Sequence, residues 1–306
     1  MTTATHTGRL AELVGDADAF HAGIWGVRAA VFPDAAAPAL LGALPSAQEI
    51  WDAFGHGLLV APYFGVARDG VGAPAADITV TRRVQQKPRA RYADAAGVRR
   101  WFTAGYTVGL RQPDHWHAGL KDLVGALREE LRADVRSSVF LSPPSREDAG
   151  AGTRMRAETA HLFVVQCAGA TRWHLGDEEH RPRLSPGDVL YLPPGHRHSV
   201  TAHEEHEEHE EREGHEGHEG HEGHEEGALY LALSVRRPGP RDLAEVALAG
   251  FLKSAPAEAI AGRHHYMSLA EKVSWLRREL TSYLAGQDAD ALAATAVGMH
   301  QRAGQA

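Results

Sequence analysis

Residues 162–200 read LFVVQCAGATRWHLGDEEHRPRLSPGDVLYLPPGHRHSV, and the fold turns on this stretch. Two apolar runs flank a turn. The second, DVLYL, leads into Pro193-Pro194-Gly195 and then His196-Arg197-His198. The Pro-Gly pair supplies the turn. Alternate residues of an extended strand share a face, so His196 and His198 are expected to point the same way. A run of this kind places a histidine at the mouth of a small β-barrel, where two imidazoles on an inward face could serve a metal.

Phe163, Gln166, Gly169, Trp173, Pro186-Gly187-Asp188, Tyr191, Pro193, Gly195 and His198 follow a known pattern in order and spacing. They resemble the JmjC-type cupin proteins related to the bacterial and nucleolar ribosomal oxygenases. Weaker likeness extends to VFLSPP at 139–144, before the first metal motif, and to YLALSV at 230–235, the closing strand. The resemblance implies a mainly β fold with helices: a JmjC/cupin double-stranded β-helix (jelly roll) with a helical N-terminal region and a helical C-terminal tail. It also implies Fe(II) and 2-oxoglutarate as cofactors and a protein or peptide as substrate.

The departures from the pattern are specific. The H-x-D motif of the family falls on Arg156-Ala157-Glu158. A carboxylate survives at Glu158, one methylene longer than aspartate. Arg156 has no lone pair to give a metal. The basic anchor for 2-oxoglutarate falls on Thr171, and Ala228, Tyr230 and Ala232 stand where the family often carries polar side chains.

A chain of 306 residues with 43% hydrophobic residues can bury a large core and suggests a main domain with an appendage. Three regions are expected: 1–110, helical and mixed, completing the fold; 111–237, the β core; and 238–306, helical. Cys167 is the single cysteine, which excludes an internal disulfide and fits a reducing cytoplasm. The start has no basic and apolar leader pattern, and no apolar run reaches membrane-spanning length. A net charge of −8 gives no support to membrane or bulk nucleic-acid binding, so direct contact with nucleic acid is not expected.

That charge is unevenly spread. Residues 203–226 read HEEHEEHEEREGHEGHEGHEGHEE and hold 12 Glu, one Arg and seven His, a net −11. The rest of the chain is therefore about +3, with Arg82, Arg83, Lys87, Arg89 and Arg91 clustered. The plain reading of that cluster is a solvated loop. The functional one is a patch for an acidic partner such as an RNA-rich particle. The His-Glu run has no apolar residue to pack and reads as an insertion between two barrel strands. Its imidazoles, His203, His206, His209, His215, His218, His221 and His224, suit Zn, Ni or Cu. It is either a solvated repeat with incidental metal affinity or a metal-capturing lid.

Along the chain, residues 1–60 read as mainly helical, with FHAGIWGVRAAVF and SAQEIWDAFG amphipathic. Trp25, Arg28 and Phe32 resemble the opening segment of the family, and the two aromatics are read as core packing. LLVAPYFGVARDG is a strand and an Asp-Gly turn. VRRWFTAGYTVGL is a short helix and then a strand. In HAGLKDLVGALREELRA, Leu120, Leu123, Val124, Leu127 and Leu131 recur at three and four, the spacing of an amphipathic helix. RSSVFLSPP, AHLFVVQC, TRWHL, DVLYL, HRHSV and LYLALSV supply barrel strands. After Pro238 three helical segments follow, through which a homodimer could form.

Four readings of the site stand side by side. The chain is a non-standard or catalytically silent member, in which an Arg156–Glu158 pair could replace the metal with a fixed cation while some metal binding is kept through His198, Glu158 and the His-rich loop. Alternatively, Glu158, His196 and His198 rebuild a two-histidine–one-carboxylate set adequate for Fe(II), with Arg156 gripping the co-substrate. Alternatively, the protein handles metal through its His-rich loop. In the last, a bulge turns His161 inward as a ligand. His115, His117, His174, His264 and His265 are read as surface or core. Trp173 and Tyr191 are assigned to packing, and Gln166 and Asp188 to hydrogen bonds that hold the barrel together.

Overall fold

A computed structural model describes residues 8–144, 155–176, 181–203, 227–254, 257–258, 260 and 264–303. Its elements, in chain order, begin with α1 (Ala11–Val14), α2 (Ala17–Gly23), β1 (Ala30–Phe32), α3 (Pro38–Leu41) and α4 (Ala47–Gly55). Then come β2 (Phe64–Arg68), β3 (Val71–Gly72), α5 (Ala75–Ile78), β4 (Thr79–Val84), β5 (Lys87–Ala93), α6 (Ala95–Thr103), β6 (Thr107–Arg111) and α7 (Ala118–Leu131). The next strands are β7 (Asp134–Ser142), β8 (Arg156–Ala157), β9 (His161–Ala168), β10 (Ala170–Leu175), β11 (Arg183–Leu184), β12 (Val189–Leu192), β13 (Arg197–His203) and β14 (Ala228–Arg236). The chain ends in α8 (Pro240–Leu252), α9 (Leu269–Ala285) and α10 (Ala289–Ala303).

Two compact units result. The described residues of Met1–Ala126 and Val135–Val235 form one, and those of Leu127–Asp134 and Arg236–Ala306 the other. In the first unit an eight-stranded sheet has the order β1-β12-β9-β14-β7-β6-β2-β3, and a four-stranded sheet the order β11-β10-β13-β8. Their inner faces share one core: Leu162 and Val164 from β9, Trp173 and Leu175 from β10, Leu190 and Leu192 from β12, Val200 from β13 and Tyr230 from β14. On β9, β10 and β12 these residues are two apart, as the pleat requires. Every residue of β12 is buried, because aromatic side chains cover its other face. There Phe20 meets Tyr191 edge-on at 4.9 Å, and Trp25 stacks on His161 at 3.8 Å.

Trp25 is half-buried and packs against these rings, but the segment around it is not one helix. α2 ends at Gly23, Gly26 takes φ +73, and Ala30–Phe32 pair antiparallel with β12 as an edge strand. Two glycines so close raise the cost of continuing the helix, and the sheet edge takes up the β-branched and aromatic residues beyond. α4 starts on a capping box: Ser46 accepts from the Glu49 N–H and the Glu49 carboxylate accepts from the Ser46 N–H. Asp69 (φ 52) and Gly70 (φ 78) make the turn between β2 and β3 that Asp-Gly signalled.

In the second unit, α8 presents Phe251, whose ring meets Tyr283 of α9 edge-on at 5.6 Å. Ser268 and Glu271 form the capping box of α9. No helix among the described residues is long and apolar enough to cross a membrane.

Candidate functional site

The turn at Pro193–Gly195 is fixed by Gly195, at φ +81, whose N–H donates to the Glu158 carbonyl at 2.7 Å. This ties the β8 segment to the start of β13. The antiparallel register then sets His198 opposite Arg156 and Arg197 opposite Ala157. His198 is 1% exposed, with its ring 5.8 Å from that of Trp173.

The imidazole of His198 is held at both nitrogens. Nδ1 lies 3.1 Å from the His196 carbonyl, which can only accept, so Nδ1 carries the proton. Nε2 is left as a lone pair, and the Arg156 Nε–H donates to it over a long 3.5 Å. Arg156 Nε also lies 3.3 Å from Glu158 Oε1. Burial, foremost, and the Arg156 charge both hold the His198 pKa below the usual imidazole value, against the His196 carbonyl and Glu158, which pull it up. His198 Nε2 thus faces the Arg156 guanidinium as an acceptor.

This arrangement bears directly on an iron centre. A metal needs the lone pair that Arg156 engages, and Glu158 is paired with the same guanidinium. Among the described residues no three His, Cys, Asp or Glu side chains form a group that could hold a metal ion. The expected set Glu158, His196 and His198 is accordingly not assembled in this geometry. The cause is local: His196 precedes β13, while the partner that faces His198 across the sheet is Arg156. His196 Nε2 is buried with no hydrogen-bond partner among the described residues. His161 stands apart from Arg156 and His198. Its Nδ1 lies 2.8 Å from the Tyr191 hydroxyl, on the outer face of the large sheet.

Thr171, at the position of the co-substrate anchor, is 1% exposed and fully engaged. Trp173 Nε1–H donates to Thr171 Oγ1 at 3.0 Å, and Thr171 donates to Gln166 Oε1 at 2.7 Å. The Gln166 amide nitrogen donates to the carbonyls of Ala168, Gly169 and Leu229. Asp188 accepts from the Asp34 and Ser185 N–H groups. Gln166, Asp188 and Trp173 thus hold the barrel together, and the donor set does not fit 2-oxoglutarate with Fe(II) as it stands. Of the loop histidines, His203 closes β13, and His206, His209, His215, His218, His221 and His224 lie outside the described residues.

A cavity of about 700 Å³ opens beside the Arg156–Glu158 pair. Arg136, Ser138 and Phe140 of β7 line it, with Ser234 of β14, Thr107 and Arg111 of β6 and Leu162 of β9. The sequence reading did not single out Arg136, Ser138 or Arg111. The alternation in RSSVF was the available signal, since it puts Arg136, Ser138 and Phe140 on one face.

Residues 144–210 match the AraC-like ligand binding domain. The chain is 28% identical over 111 residues to the bifunctional lysine-specific demethylase and histidyl-hydroxylase NO66 of Branchiostoma floridae, covering 36% of this chain and 18% of that protein. It is 26% identical over 121 residues to the ribosomal protein uL16 3-hydroxylase of Escherichia coli K12, covering 32% of this chain and 31% of the relative. The matches therefore span less than a third of these relatives. The solved structure of the E. coli ribosomal oxygenase YcfD with cobalt and 2-oxoglutarate superposes with a TM-score of 0.52 at 17% identity, covering 89% of this chain and 67% of that one. The fold is the double-stranded β-helix of the JmjC/cupin oxygenases, and the chain resembles them.

Proposed function

We propose that this chain is a JmjC-fold protein of the ribosomal-oxygenase lineage in which a fixed guanidinium stands where a metal would be. Its barrel mouth then binds a protein segment or a small acid without oxidising it. The observation that supports this is Arg156, which engages the open nitrogen of His198 and pairs with Glu158 at once. The cavity beside it offers further arginines and hydroxyls for a carboxylate or a peptide backbone. Anaerobic calorimetry with Mn(II), as a stand-in for Fe(II), and 2-oxoglutarate tests the proposal. The full chain is compared with His198→Ala, so that metal taken up by the His-Glu run cancels. Equal stoichiometry in the two proteins is expected. One extra ion in the parent, tightened by 2-oxoglutarate, refutes it.

The buried, unpartnered His196 Nε2 favours a second reading, since such a nitrogen calls for an explanation. In it, Arg156 leaves His198, and His196, His198 and Glu158 close around a ferrous ion. The same calorimetry decides between the two.

For the helical unit we propose a second copy of the chain as partner. Leu269, Val273, Leu276 and Leu284 of α9 are 78%, 49%, 44% and 46% exposed. Their steps of four, three and eight keep one stripe of the helix. Light scattering is expected to report a dimer that Val273→Glu/Leu276→Glu converts to monomer; a monomeric parent refutes this.

A further inference from the structure

The basic cluster is not a loop. β4 and β5 form a two-stranded sheet of their own, hydrogen-bonded to neither barrel sheet. Gln85 and Gln86 make the connecting turn with φ of 50 and 65, the left-handed pair that a tight two-residue hairpin uses. Every residue from Val80 to Arg91 is exposed. At about 3.3 Å per residue, the arm is on the order of 20 Å long.

An isolated two-stranded ribbon is marginal in water, so this one needs an anchor. Its base supplies several. The Ala61 N–H donates to the Arg91 carbonyl and the Ala93 N–H to the Leu59 carbonyl. Tyr92 bridges to Val60, and the Arg82 guanidinium lies 5.7 Å from the centre of the Tyr92 ring. A Cβ on Gly57 would come within 2.1 Å of the Arg82 guanidinium, so glycine there leaves room for the arginine.

The charge pattern is one-signed. Between Thr79 and Ala93 stand Arg82, Arg83, Lys87, Arg89 and Arg91, and no Asp or Glu. None of the five makes an ion pair among the described residues. Arg82 and Arg89 are direct cross-strand partners, an opposition of like charges that costs stability. Lys87, two residues from Arg89, shares its side of the strand. A fold that keeps like charges opposite each other on an anchored, fully exposed arm is built for an external polyanion. The net −8 of the chain conceals this, because −11 of it lies in residues 203–226.

We propose that the β4–β5 ribbon is a docking arm for RNA, gripping its phosphate backbone without reading sequence. The only charged side chains of the arm are arginine and lysine, and its one aromatic side chain, Tyr92, is covered by Arg82 rather than offered to a base. The choice of RNA over another polyanion rests on the ribosomal lineage proposed above; the arm itself rests on geometry and charge.

Fluorescence anisotropy of the full chain with a labelled 20-nucleotide single-stranded RNA tests this, beside an RNA duplex and a DNA duplex of matching sequence. Binding is expected to weaken roughly a hundredfold between 50 and 200 mM salt, the dependence of about five phosphate contacts. Changing all five residues to Gln should abolish binding and its salt dependence. An all-lysine version of the arm should retain both, which shows that loss does not come from misfolding. No RNA binding at 50 mM salt, or binding unchanged in the glutamine variant, overturns the arm. Tighter binding to the DNA duplex overturns the assignment to RNA. Mn(II) calorimetry on the same glutamine variant separates this proposal from the barrel reading, because it reports only on the latter.

Discussion

Replacing Thr171 with valine tests whether this residue is a strut or the remnant of a co-substrate anchor. The change keeps shape and deletes one hydroxyl, so little cavity opens. Thr171, Gln166 and Trp173 are 1%, 0% and 1% exposed, and water cannot take over the lost bonds. Trp173 Nε1–H loses its acceptor and Gln166 Oε1 loses its donor. Gln166 cannot rescue itself by rotating its amide, because the nitrogen is committed to three carbonyls. Each orphaned buried group costs about 1–3 kcal/mol, so Thr171→Val should lower unfolding free energy by about 2–6 kcal/mol. Urea unfolding followed by tryptophan fluorescence measures it. Thr171→Ser, which keeps the hydroxyl, should lose much less. Thr171→Val/Trp173→Phe should lose less than the sum of its parts, since the orphaned indole N–H is gone too. A valine variant within about 0.5 kcal/mol of the parent refutes the reasoning, for that is the scatter of an ordinary surface change.

Two further outcomes follow from the same core. His198 has a folded pKa held below its unfolded value of about 6.5, so unfolding takes up a proton below that pH. Its contribution to stability is full above about pH 6.5 and is lost as pH falls toward the folded pKa. Unfolding free energies at pH 7.5 and 5.5 should therefore differ more in the parent than in His198→Gln, and an equal difference contradicts the assignment. Burial pushes the Cys167 thiol up to about 12, so a disulfide reagent at pH 8 should label the folded chain only at its opening rate; immediate stoichiometric labelling contradicts this.

Sequence and structure divide the account between them along physical lines. The barrel was legible because its signals are local. The Pro-Gly turn, strand alternation and the spacing from Phe163 to His198 each depend on neighbours in the chain, and they located Trp173, Gln166 and Asp188 in the roles the structure gives them. The amphipathic period of α7 belongs to the same class. Spacing also put Arg156 where a metal-binding histidine would stand. It could not say that the guanidinium would occupy the lone pair of His198, because that contact joins residues 42 apart through strand register. The cavity lining escaped for the same reason: Arg136, Ser234 and Thr107 lie on three strands that become neighbours only when the sheet is ordered. The basic run from Arg82 to Arg91 was visible as composition, but composition cannot tell a solvated loop from an anchored ribbon. That difference lies in cross-strand pairs and in the ties from Leu59 and Ala61, which exist only once the chain has folded back on itself.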